Sequence, residues 1–384
     1  MSKQLEQEIK DRLATKRLDK LNISLGAACI SNGHGFSIDS GDDIFVKTNS
    51  SINASVMFNG EFEGLKHINA TKTIKAPKQL SVIHNYDGKN SSAIIMELVR
   101  MSPLTSESAR KLGKSLANLH EYNEKLLRYG ERASKWVGRV PPSVKHLVKG
   151  TDGNDSEQDS EEQEITFTKH ALKVKRDTDK NTTEASSSYP ERFIPQPSTE
   201  IVEEFGFDVP TSCGAIPQVN QWTKDWVSFY ARNRLDVTIR SLLSDHSDRE
   251  LSELWSKLQL KVDHFFADFE YKASRKGEII PCLLHGDLWS GNAAQLEDGS
   301  DGVVYDPASF YGHNEYEFGI VRMFGGFPPE FEKAYFEVVP KKKNFEQRNR
   351  LYQLFHHLNH WNHFGSGYRP SSLKILRDLT LSAR

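Results

Sequence analysis

Three polar side chains at fixed spacing carry the strongest chemical signal in this sequence. In CLLHGDLWSGNAAQ, Cys282 to Gln295, an apolar approach ends at His285-Gly286-Asp287, and Asn292 lies five residues past that aspartate. A second apolar run, Val303-Val304-Tyr305, delivers Asp306. To move the γ-phosphoryl group of ATP, a site must hold an acceptor hydroxyl in line, accept its proton, and anchor divalent ions that neutralise the phosphate oxygens. Two carboxylates and an amide can do this. Asp, four residues, Asn, and a further Asp after the next short strand is the order in which such sites supply a base and metal ligands. A lone D-x-x-x-x-N would carry no weight, because Asp and Asn often do no more than cap turns. The three elements together point to phosphoryl transfer, with Asp287 as base and Asn292 and Asp306 as ligands of Mg2+.

That centre needs a second set of groups to position the nucleotide. From Ile23 the pattern reads strand, loop, strand, turn, strand: ISL, GAACISNGHG, FSID, a turn at Ser40-Gly41-Asp42-Asp43, then IFVK. A loop of small residues such as the one at Gly26 can bring backbone N–H groups to phosphates, and a lysine ending the third strand, Lys47, can reach them. The helix-like stretch ASVMFNGEFEGLKHI offers Glu61 to orient Lys47, with Glu63 as the near competitor. The spacing of Glu61 to Gly64-Leu65 suits a helix facing the sheet. AIIMEL reads as a buried strand running into a junction at Val99-Arg100-Met101. Met96, Glu97, Leu98 and Val99 would contact adenine there through main chain and shape. HGD stands where protein kinases have HRD, and DPA where they have DFG, so the match is to the wider kinase-like superfamily.

The expected organisation is therefore α+β, a bilobal protein-kinase-like fold with a small antiparallel-sheet N-lobe and a mainly helical C-lobe. Residues 1–20 read as an amphipathic helix with Leu5, Ile9, Leu13 and Leu18 near helical spacing, 21–98 as the N-lobe, 99–101 as the hinge and 102–384 as the C-lobe. Ser102 or Thr105 would cap the first C-lobe helix, and the Trp222, Trp226, Phe229 and Tyr230 cluster reads as core. Residues 149–198 are acidic, Ser/Thr-rich and too poor in apolar side chains to offset the entropy of ordering them. They read as a disordered insertion, with Ser156 and Ser160 in surroundings suited to an acid-directed kinase.

Bulk properties narrow the partners. With 50 basic against 52 acidic residues there is no global pull toward nucleic acid or an anionic membrane. Cys29, Cys213 and Cys282 are too scattered for a disulfide framework, which favours a reducing, cytoplasmic setting. No apolar stretch is long enough to span a bilayer, and MSKQLEQEIKDRL lacks the core of a secretion signal. His356, His357, His360 and His363 share helical spacing, but without an H-E-x-x-H glutamate they read as packing, with one or two of them, or Trp361, lining the acceptor pocket.

LLHGDLWSGN, YDPASFYGHNEYE, MFGGFPPEF, LYQLFHHLNHWNHFGSGYR, GFDVPTSCGAIPQVNQW and MFNGEFEGL together resemble the fructosamine-3-kinase and ketosamine-3-kinase family, a branch of the aminoglycoside-phosphotransferase-like kinases. The likeness runs from about Leu25 to Leu376. It implies ATP-dependent phosphorylation of the O3 hydroxyl of ketosamines, both small molecules and glycated proteins, giving a labile adduct and hence deglycation. Carried over, Asp287 is the base, Asn292 and Asp306 hold the metal, Lys47 and Glu61 position phosphate, and Trp289, with His285 and Trp361, faces the acceptor sugar. Ala27 and Ala28 follow Gly26 where the family has more glycine, and Cys29 matches a cysteine of some relatives, a thiol open to oxidation or a small buried apolar group. Two alternatives differ in kind: a kinase of an aminoglycoside, choline or another small alcohol, and a noncatalytic binding protein on a kinase scaffold. The intact Lys47, Asp287, Asn292 and Asp306 set speaks against the second.

Overall fold

The computed structural model describes residues 1–22, 32–136, 200–269 and 279–383. The Gly26 and Cys29 loop, the strand expected at Ile23–Leu25 and the acidic stretch 149–198 lie outside the described residues. The chain divides into two compact units, Met1–Glu124 with Val202–Arg384, and Lys125–Ile201; every site residue considered below belongs to the first.

The N-terminal helix α1 (Lys3–Leu13) starts at Ser2, whose hydroxyl accepts the Leu5 N–H at 3.1 Å, and stops at Ala14 in the left-handed conformation. It is shorter than the expected helix to residue 20. Asp39 accepts the Lys16 and Arg17 N–H groups and turns the chain into a strand, β1 (Leu18–Lys20). There follow β2 (Asn32–Ile38), β3 (Asp43–Asn49), α2 (Ala54–Thr71), β4 (Gln79–Ile83) and β5 (Ser92–Glu97). The five strands form one antiparallel sheet in the order β1-β2-β3-β5-β4.

Strand periodicity decides which face each side chain meets. Ile44 and Val46 of β3 and Ala93 and Ile95 of β5 pack with Leu5 and Ile9 of α1. Ile94 and Met96 point the other way, into a core shared with Phe58, Leu65 and Ile68 of α2. Lys47, one residue past Val46, is therefore delivered to the α2 side.

Beyond the sheet come β6 (Met101–Ser102), α3 (Ser106–Trp136), the hairpin β7 (Ser212–Cys213) and β8 (Ile216–Pro217), α4 (Trp226–Tyr230), α5 (Val237–His246), α6 (Arg249–Leu258), β9 (Cys282–Leu284), β10 (Ala293–Leu296), β11 (Gly302–Val304), β12 (Phe310–Gly312), α7 (Glu317–Phe324), α8 (Pro329–Val338), α9 (Phe345–Phe364) and α10 (Arg369–Ser382). Antiparallel sheet followed by a mainly helical remainder is the α+β architecture the sequence predicts. Thr105 is the residue at the start of α3, its hydroxyl accepting the Ser108 N–H. The core of this part is aromatic: Trp226 stacks near Phe229, Tyr230 and Phe310, and its indole N–H donates to the Tyr352 hydroxyl at 3.0 Å. Trp222, by contrast, is only half-buried. Arg348 is fully buried but paired, donating to Glu315 at 2.7 Å and Asp268 at 2.9 Å.

Helix α3 passes so close to α8 that a Cβ on Gly113 would lie 2.2 Å from the Phe331 carbonyl oxygen. Helix propensity alone would make Gly113→Ala stabilising by about 1 kcal/mol. Overpacking against a backbone atom that cannot swing aside costs about 1–3 kcal/mol or more, so the clash wins. Gly113→Ala is expected to lower the urea midpoint, and a raised midpoint would contradict this packing.

Candidate functional site

The site is assembled at the ends of two antiparallel strand pairs. Antiparallel pairing of β10 with β11 sets Ala293 opposite Val304, which leaves Asn292 and Tyr305 facing each other at the open end, their backbones joined at 3.1 Å. Asp306 is the next residue, in the left-handed conformation at φ 57°. Beside it β9 pairs with β12, and the Ala308 N–H donates to the His285 carbonyl at 2.9 Å. The close approach requires glycine at 286: its φ is +84°, and a Cβ there would come within 2.2 Å of the Ala308 carbonyl oxygen. The stretches that carry Asp287 and Asp306 are thus held side by side.

Lys47 completes the centre from the sheet. Its Nζ lies 2.9 Å from both carboxylate oxygens of Glu61 and 2.9 Å from Asp306 Oδ1. Glu61 shares the inward face of α2 with Phe58 and Leu65, three and four residues away, and with Ile68 seven residues on, whereas Glu63 pairs with the exposed Lys66. Burial opposes the Lys47 charge, but Asp306 and Glu61 outweigh it and hold its pKa above the ordinary value. Burial lifts the Glu61 carboxyl to about 7 against the pull of Lys47, whose ammonium meets both of its oxygens.

Asp287 is half-buried, and its carboxyl is pushed up to about 7, first by desolvation in the site and then by the charge of Asp306. Asn292 Nδ2 donates to the Asp287 carbonyl at 2.9 Å and reaches Oδ2 at 3.4 Å, so its amide oxygen is turned away from the carboxylate. The Cys213 thiol lies 3.7 Å from Asp287 Oδ1 and is itself reached by the Asn359 amide at 3.3 Å. A cavity of about 380 Å3 opens over these groups; Lys47, Glu61, Asp287, Asn292 and Asp306 line one part, and Trp289, Phe324, His360, His363, Phe364 and Tyr368 another.

Other expected residues fall elsewhere. His285 does not line the cavity: it is wholly buried, its Nε2 donates to the Tyr305 carbonyl at 2.9 Å, and its Nδ1 receives the Asp287 N–H at 3.3 Å. It braces the loop from behind, and burial keeps its pKa below the ordinary value. Trp361 is buried against His246. A helix turns about 100° per residue, so the face that brings His360, His363 and Phe364 to the cavity carries Trp361 away from it. Met96 and Glu97 end β5, Leu98 and Val99 follow it, none of the four lines the cavity, and the Leu98 N–H donates to the Asp43 carbonyl. His363 receives the Ala215 N–H at 2.8 Å, and His357 meets the Ser371 hydroxyl at 2.9 Å.

One positioning residue escaped the sequence reading. Glu317, completely buried, accepts the His285 and Gly286 N–H groups at 2.8 and 3.0 Å and lies 3.5 Å from His120. Burial alone would raise its carboxyl, but these hydrogen bonds and the neighbouring imidazoles bring it below the usual value. A carboxylate inside the apolar run EYEFGIV is the signal that marks it.

Comparison with known proteins bears on what this centre does. The chain matches the fructosamine kinase family model over residues 1–146 and 193–382. Mouse ketosamine-3-kinase is 42% identical over 355 residues, spanning 92% of this chain and 93% of the relative. The chloroplastic protein-ribulosamine 3-kinase of Oryza sativa subsp. indica is 33% identical over 356 residues, 92% of this chain and 77% of its own. The crystal structure of a candidate fructosamine-3-kinase from Thermobifida fusca superposes with a TM-score of 0.64 at 20% identity, over 98% of either chain, and shows the fold.

The geometry makes Asp287→Asn informative on two axes. Turnover is expected to fall by about two to four orders of magnitude, the scale for losing a general base; a near-normal rate would mean that the base lies elsewhere. Stability moves the other way in the ligand-free protein. The carboxyl is raised to about 7 from an ordinary 3.8, so between those values the folded chain binds more protons and stability is lost as pH rises. Removing the charge should therefore raise Tm more at pH 8 than at pH 5. An equal gain at both would show that Asp287 is not held in this way.

Proposed function

The chain belongs to the fructosamine kinase family, and on that premise we propose that it transfers the γ-phosphoryl group of ATP to the O3 hydroxyl of ketosamines, the adducts left when sugars glycate amines. The observation that carries this reading is the convergence of Glu61 and Asp306 on the Lys47 ammonium in the same cavity as Asp287 and Asn292.

Asp287 accepts the O3 proton as O3 bonds to the γ-phosphorus and the bond to the ADP oxygen breaks. A carboxyl with pKa near 7 suits that role, because it takes the proton readily and is still partly ionised at neutral pH. Lys47, oriented by Glu61, supplies the positive charge for the nucleotide phosphates. Asn292, through its amide oxygen, and Asp306, through its carboxylate, would hold Mg2+; an all-oxygen donor set fits that hard cation. Bound there, Mg2+ would neutralise charge on the phosphate oxygens. Cys213 and Asn292 fix the Asp287 carboxylate, and Glu317 holds the backbone beneath it.

The adenine would lie along the backbone of Met96, Glu97, Leu98 and Val99, with Gly26 at the phosphates. Acceptors would include free ketosamines and glycated lysines of proteins, and loss of the phosphorylated sugar would return the amine, making this a repair activity. Scattered cysteines support work in a reducing compartment such as the cytoplasm. Among the described residues no helix is long and apolar enough to cross a membrane.

Incubation with ATP, Mg2+ and Nε-fructosyl-lysine is expected to yield one ADP per phosphate ester on O3, located by phosphorus NMR. ATP consumption with an aminoglycoside or choline, and none with the ketosamine, would overturn the reading.

A further inference from the structure

Outward from Asp287 the cavity wall is an arc of rings. The Trp289 and Phe324 centroids lie 5.9 Å apart, Phe324 and His360 5.1 Å, and His360 stands 5.4 Å from Phe364 and 5.2 Å from Tyr368. They converge from the catalytic loop, the end of α7, the last turn of α9 and the turn before α10. Two of them remain open to solvent, Phe364 at 65% and Phe324 at 44% exposure. Large apolar side chains left exposed together at the mouth of a cavity mark a binding surface. The charge around them is lopsided: three carboxylates, Glu61, Asp287 and Asp306, line the cavity against one lysine, Lys47. Burial lowers the His360 pKa and so works against a positive charge on this ring.

We propose that this arc is the subsite for the protonated amine of the ketosamine and the first part of the hydrocarbon arm attached to it. The inference rests on the ketosamine reading above and deepens it, because it explains how an amine-bearing sugar is told from a free one. In a ketosamine the nitrogen and O3 are separated by four bonds of about 1.5 Å each and so lie within about 5 Å of each other. With O3 at Asp287 the nitrogen falls beside Trp289, two residues along, and the Phe324 ring tilted at 58° to it. A secondary ammonium over ring faces gains cation–π attraction worth about two- to thirtyfold in affinity when partly desolvated. A neutral sugar gains none. The arm beyond the nitrogen then runs out over Phe364 and Tyr368, where a lysine's methylenes cover the exposed rings.

Phe324→Leu and Phe364→Leu keep apolar bulk and remove the π face, and because both residues are partly exposed the variants should fold, which a thermal melt checks. Steady-state kinetics would compare Nε-fructosyl-lysine with its neutral analogue acylated on the secondary amine. For Phe324→Leu the KM for fructosyl-lysine is expected to rise about three- to thirtyfold, the KM for the neutral analogue to change less than twofold, and kcat and the KM for ATP to move less than the KM for fructosyl-lysine. Phe364→Leu should show the same pattern more weakly. Unchanged KM in both variants, or an equal rise for both substrates, would overturn the subsite while leaving the activity standing. A wild-type protein that phosphorylates no ketosamine would bring down the activity and this subsite with it.

Discussion

A buried ammonium held by two carboxylates governs this structure. Withdrawing a lysine from water costs several kcal/mol unless its charge is matched and its donors are satisfied. Lys47 meets that demand with Glu61 from α2 and Asp306 from the far end of the chain. The arrangement requires strand alternation to turn Lys47 toward α2, helical spacing to put Glu61 on the same face as Phe58 and Leu65, and hairpin register to present Asp306. Local rules at three separate places are thereby coupled through one nitrogen atom.

The catalytic loop follows a similar logic, with its buried polar groups serving the backbone. Glu317 takes two amide protons, His285 ties Tyr305 to Asp287, and Gly286 permits the contact with Ala308. The groups left facing the cavity are Asp287, Asn292 and Asp306. Buried scaffolding of this kind is how a site holds reacting groups to the tolerance that phosphoryl transfer demands.

The sequence made the site's inner half legible because its residues sit on short periodic elements with polar ends. Val303-Val304-Tyr305 is a strand by composition, so the aspartate after it was visible, and Lys47 at the end of IFVK was visible in the same way. What failed to show were relations across the fold. His285 lies two residues from Asp287 in sequence yet turns into the core, and Trp361 lies one residue from His360 but on another helix face. The strand at Leu18–Lys20 looked helical because Leu18 continued an apolar spacing that Asp39 in fact interrupts. Glu317, Cys213 and Phe324 lack a local pattern that ties them to Asp287, and only packing brings them there.

The two partners of Lys47 differ greatly in their distance along the chain, 14 residues for Glu61 and 259 for Asp306. Both partners belong to one compact unit, and domains generally fold as units. Bringing Asp306 to Lys47 closes a far longer stretch of chain than bringing Glu61 there, and the entropic cost of closure rises with length, though slowly. The second half of this lysine's charge balance is therefore a non-local event, tied to the folding of the whole unit.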